Sequence, residues 1–220
     1  MRTSTRITIG LAVLVGAASN SGVLAGQAPN AAHAHIGHIM TKFNDTPNTQ
    51  GLLPTAAAEA KIAATHAGLA AKSTEKLEAM KLHAGHVIHA IDPTIEPKGP
   101  GMGYGVKKAA AGALQHVGFA SKAEGASKGV QTHAVHVSAS LNNVLMWSDN
   151  IVSLAQRIRT ATSVAEAAPL VAELNTAASQ LAAGLDANKD GQIGWQTGEG
   201  GLQQAETHMG LMMKGEGITS

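Results

Sequence analysis

Apolar positions along this chain gather in long alanine-rich stretches, and polar connections containing Pro and Gly divide them. Good helix formers, rare proline and few β-branched clusters predict helix almost throughout, and no stretch reads convincingly as strand. The pattern predicts a short helix over about 31–42 and a long one over about 54–90, opened by Pro54 in its first turn. The turn-rich stretch NDTPNTQGLLP joins them. A second connection, DPTIEPKGPGMGYG from Asp92 to Gly105, leads into helix from about 106 to about 160, with Gly125 and Gly129 as the place where it can break. Another helix is expected over about 163–184, capped by Ser163 with Glu166 three residues on, and a last one over about 200–214. The glycines of GPGMGYG follow a helix, so they do not match a phosphate-binding loop, which follows a strand. The fold class expected is all-α: a helical bundle.

Composition narrows the picture. The 220 residues carry a formal charge of +1, which gives no basis for a nucleic-acid partner. Cysteine is absent, which excludes disulfides, thiolate metal sites and covalently attached c-type haem. Aromatic residues are only 2% of the chain, so a core must come from close helix approach or from something other than side chains. At the N-terminus, Arg2 and Arg6 precede the apolar run ITIGLAVLVGAAS, and Val23 and Ala25 are small residues at the −3 and −1 positions of a cleavage site. This reads as a secretory signal peptide, residues 1–25, ahead of a single histidine-rich domain at 26–220. The run is too short to span a bilayer, and no later segment is apolar enough, so a periplasmic or secreted protein is expected.

Eleven histidines dominate the candidate chemistry. HIGHI at His35, HAGHV at His83 and HAVHV at His133 share the form H-x-x-H-[IV], at separations of 48 and 50 residues. A second motif alternates with the first: HAGLAAK from His66, HVGFASK from His116 and HMGLMMK from His208, all H-x-G-[LF]-x-x-K. Order and shared flanks argue for three internal repeats, about 31–81, 82–130 and 131–220. Within the repeats the two motifs lie 31, 33 and 75 residues apart, so the third reads as carrying an insertion, about 140–198.

Histidines at i and i+3 share one side of a helix, so both rings of each H-x-x-H can converge. If each repeat is a helical hairpin, the triads expected are His35, His38 and His66; His83, His86 and His116; and His133, His136 and His208. His33 and His89 remain as accessory candidates. Neutral imidazoles in such triads suit copper or zinc, with water or methionine as a further ligand; Met40, Met209, Met212 and Met213 lie near two of the triads in sequence. The alternative is non-covalent haem b, held between one histidine of H-x-x-H and that of H-x-G, with Lys72, Lys122 and Lys214 meeting propionates. Either would suit storage or electron transfer with a redox partner protein. A third reading is a helical interaction module whose histidines sense pH. No Glu-x-x-His, H-E-x-x-H or nucleophile elbow occurs, so catalysis is not expected, although an open metal site is able to support it.

One more stretch carries a specific signal. In DANKDGQIGWQTGEG, Asp186, Asn188 and Asp190 occupy positions 1, 3 and 5 of a loop, with Gly191 at 6 and Ile193 at 8. This stretch resembles the calcium loop of the EF-hand family. The resemblance implies calcium held by those three side chains and by the backbone carbonyl of Gln192. Position 12 is Thr197 instead of the family's glutamate, and Glu199 follows two residues later, so two candidates remain for the closing ligand.

Overall fold

The computed structural model describes residues 31–219; the expected signal peptide lies outside them. Seven helices and no strand make the described chain an all-α bundle. They are α1 (Ala31–Met40), α2 (Leu52–Lys72), α3 (Leu77–Ile91), α4 (Val106–Lys122), α5 (Lys128–Thr160), α6 (Val164–Ala183) and α7 (Leu202–Gly215). A short 3₁₀ turn, Pro47–Thr49, lies between α1 and α2. No helix among the described residues is long and apolar enough to cross a membrane.

The expected helix over 54–90 is two helices. The chain turns at Ser73–Lys76, without Gly or Pro to announce it. Ser73 is a short polar residue able to bond the backbone itself, and its hydroxyl donates to the Leu69 carbonyl at 2.9 Å. Its carbonyl then accepts the Lys76 amide at 2.9 Å, closing a turn that lets α3 fold back on α2. The break expected at Gly125 and Gly129 is present: Gly125 has a φ of 76°, and Ser127 starts α5 by accepting the Val130 amide. Ser163 caps α6 by accepting the Glu166 amide at 3.2 Å, while the Glu166 carboxylate accepts the Thr162 amide at 2.8 Å.

With so few rings, the core is built on small side chains. Ala56, Ala60, Ala63, Ala67 and Ala70 form a fully buried seam along α2, and Ala109, Ala113, Val117 and Ala120 form one along α4. This spacing keeps one narrow stripe of each helix facing its neighbours and lets backbones approach closely. Larger side chains, among them Ile36, Ile88, Leu141 and Leu174, fill the space between the seams. Helix α5 is the spine, packing on α3, α4, α6 and α7, while α1 lies on α4 and α2 lies on α3, α4 and α6. These packings decide which histidines meet.

Candidate metal centres

Nine histidines gather into three groups: His35, His38 and His116; His66, His83 and His86; and His133, His136 and His208. Within each group one nitrogen per ring lies within 4.8 Å of the other two. The third triad matches the pairing expected from the repeats. The first two do not: His66 joins the H-x-x-H that follows it, and His116 reaches back to the one on α1. The break at Ser73–Lys76 is the cause. On one straight helix His66 and His83 would stand about 25 Å apart; folded back, α3 lays His83 and His86 against His66. That leaves α1 packed on α4, where His116 meets His35 and His38.

The three centres share one geometry. The H-x-G histidine presents Nδ1 to the Nδ1 atoms of both partners. These distances are 2.9 and 3.4 Å for His116 to His35 and His38, and 3.1 and 3.2 Å for His66 to His83 and His86. For His208 to His133 and His136 they are 3.2 and 3.4 Å. Nitrogens each about 2.0–2.1 Å from a tetrahedral ion sit about 3.3 Å apart, so the spacing fits an ion at their centre. Three nitrogen lone pairs facing one point repel one another until a cation or proton stands among them. A haem would need its two axial nitrogens on opposite faces of a macrocycle, and nitrogens this close leave no room for the ring between them.

Electrostatics favours the neutral, metal-binding form. His66, His86, His116 and His208 are pulled below the ordinary imidazole value of 6.5, first by burial and then by neighbouring histidines. His35 and His136 shift the same way for the same two reasons. Each lowered value means that the folded chain resists protons the unfolded chain accepts. This contribution to stability is therefore complete above about pH 6.5 and is lost as pH falls below it. The melting temperature of metal-free protein should fall steadily from pH 7 to pH 5; a flat or rising profile would contradict the buried, mutually repelling arrangement.

The surroundings of the three centres differ. Both phenylalanines of the chain sit at the first: Phe43 lies 5.5 and 5.3 Å from the His38 and His116 rings, and Phe119 lies 5.2 and 5.8 Å from those of His35 and His116. At the third, Trp195 stacks on His136 at 4.1 Å with 21° between planes. Sequence spacing did not reveal Phe43 and Trp195, because they are loop residues placed only by tertiary packing, whereas Phe119 lies three residues after His116 on the same helix. Asn143, two helical turns beyond His136, holds the Trp195 loop on α5. Its side chain donates to the Gln196 and Gly200 carbonyls at 2.8 and 3.0 Å and accepts the Gly198 amide at 2.8 Å. In a Trp147→Phe chain, which leaves Trp195 as the single tryptophan, copper(II) should quench emission as the third centre fills. His208→Ala should remove most of that quenching and His66→Ala should leave it; equal quenching in all three chains would refute the stacking.

The remaining expected residues lie outside the triads. His33 bonds Glu216 at 2.9 Å, and His89 is buried with its Nδ1 2.8 Å from the Glu96 carbonyl. Met209, Met212 and Met213 pack into the core, with Met40 partly buried against it. Lys72, Lys122 and Lys214 are exposed, and Lys122 lines a surface cavity beside His35 and Phe119. The glycine of each H-x-G lies about 200° round its helix from the histidine, so it does not open space over the centre. In the loop at 186–199, Asp186 accepts the Asp190 and Gly191 amides, Asn188 accepts the Asp190 amide, and Asp190 accepts that of Gln192. Glu199 is buried and accepts the Gly194 amide at 3.0 Å, whereas Thr197 is exposed.

No protein-family model matches this sequence, and comparison with curated proteins and with solved structures finds no significant match.

Proposed function

We propose that this is an exported protein that binds three transition-metal ions per chain, copper or zinc, for storage or transfer. The observation that carries the proposal is the threefold gathering of three imidazole nitrogens within 4.8 Å of one another, on a scaffold without thiolates. All-imidazole sets suit both ions. Three neutral ligands leave at least one coordination position for water or an incoming donor, which suits an ion that must be handed on. A role in electron transfer would require a redox-active ion and a partner protein. Protein purified from its own host should carry stoichiometric copper or zinc by elemental analysis and show no Soret band. A Soret band would instead establish the haem reading, and neither metal nor haem would leave the pH-sensing module.

The proposal includes one structural calcium ion at Asp186, Asn188, Asp190 and the Gln192 carbonyl. Its support is the sequence spacing of those residues, with Glu199, buried and bonded to the Gly194 amide, as the candidate closing carboxylate in place of exposed Thr197. Calcium at 100 times its Kd should stabilise the chain by about 2.7 kcal/mol. Asp186→Ala with Asp190→Ala should remove that increment, and a melting temperature indifferent to calcium would reduce the loop to a turn.

A further inference from the structure

The second centre differs from the other two in what surrounds it. Among the described residues, no phenylalanine, tyrosine or tryptophan ring packs on His66, His83 or His86. Instead, a cavity of about 360 Å³ opens beside it, with His86 in its wall and Lys81, Lys98, Arg159 and Glu96 around it. Arg159 lies over Gly85, the residue before His86, and its guanidinium donates to Glu96. Three cations and one carboxylate therefore stand at the edge of a centre that itself takes up a cation.

That charge balance needs an explanation. Neutral imidazoles leave the full charge of a divalent ion uncompensated, and the cavity adds a net positive charge beside it. Like charges so placed repel, and Glu96, bonded to Arg159, with exposed Glu78, 3.7 Å from Lys81, offsets only part of the excess. The chemistry of His86 adds a donor. Its Nδ1 faces that of His66, so a His86 bound to metal through Nδ1 carries its proton on Nε2, where the ion's charge makes the N–H a stronger donor. Guanidinium, ammonium and a polarised imidazole N–H together match a small oxyanion.

Resting on the metal-binding reading above, we infer that the cavity binds a small oxyanion, a phosphate or a carboxylate, that pairs with the ion of the second centre. Lys81, Lys98 and Arg159 supply charge, and His86 links the anion to the ion through its ring. Binding is reciprocal: the ion tightens the anion and the anion tightens the ion by the same factor. The first centre also has a cavity beside it, but its lining carries a single cation, Lys122, with Phe119 in the wall, and at the third centre Trp195 stacks on His136; three cations meet only at the second among the described residues.

The test uses the full chain carrying His116→Ala and His208→Ala, which leaves the second triad alone intact. Inorganic phosphate and acetate are titrated calorimetrically into this chain with and without one equivalent of zinc. At least one of the two should bind at least tenfold more tightly to the zinc form, and the tighter of them identifies the source as phosphate or carboxylate. Lys98→Gln with Arg159→Gln should abolish the difference; both residues are exposed, so the core is spared, and an unchanged melting temperature verifies it. Anion binding that is indifferent to zinc, or equal in the doubly substituted chain, overturns the inference while leaving the metal centre standing. Failure of the two-histidine variant to take up zinc overturns the metal reading of this centre and the oxyanion site with it.

Discussion

A chain carrying both His35→Ala and His116→Ala should still bind two equivalents of zinc, as should either single variant, whereas His35→Ala with His66→Ala should bind one. The first pair belongs to one centre and the second pair to two. The intact chain should bind three. If ligands were shared within each sequence repeat, the two double variants would exchange results, so a metal titration with a chromophoric chelator separates the two arrangements without a structure. The contrast holds because removing one of three imidazoles leaves two, which hold a divalent ion far more weakly. His66→Ala and His208→Ala should likewise cost one equivalent each. Loss of all three ions from a single substitution would show one cooperative cluster instead of three centres.

Metal should also raise stability strongly. An ion that binds only the folded chain adds about 2.7 kcal/mol per site at 100 times its Kd, so three filled sites add roughly 8 kcal/mol. For a chain of this size that corresponds to an increase in melting temperature of roughly 15–30 °C. The first and third centres join helices far apart in sequence, α1 with α4 and α5 with α7, so their filling stabilises contacts that the unfolded chain lacks. Measured at pH 7.5, the increase should shrink by about one third with each centre removed. An increase below a few degrees at saturating zinc would mean that the histidines do not form sites in the folded state.

Helical class, the capped start of α6 and the break before α5 were legible because each depends on a few neighbouring residues: alanine-rich composition, Ser163 with Glu166, and Gly125 with Gly129. The nine clustered histidines were legible for a related reason. The spacing of H-x-x-H puts two rings on one side of a helix wherever that helix lies, and the recurrence of H-x-G marked the third. The turn at Ser73–Lys76 was not legible. Serine, threonine, glutamate and lysine are all tolerated in a helix interior, so the sequence there permits helix and turn alike. What decides is the burial of the α3 face, Met80, Ala84, Val87 and Ile88, which a straight continuation of α2 would not bring against α5.

The amino-acid sequence by itself therefore determined the pairs: His35 with His38, His83 with His86, His133 with His136, each set by the pitch of a single helix. Only the tertiary structure decided which third histidine completes each pair, because that depends on which helix packs alongside, at what depth and with which side turned inward. The alanine seams of α2 and α4 set those relations, placing His66 against α3 and His116 against α1. The same packing brought Phe43 and Phe119 to one centre, Trp195 to another and the Lys81, Lys98 and Arg159 cavity to the remaining one. Local spacing repeats along this chain, and so the histidine pairs repeat; packing partners do not, and so the three centres differ in their surroundings.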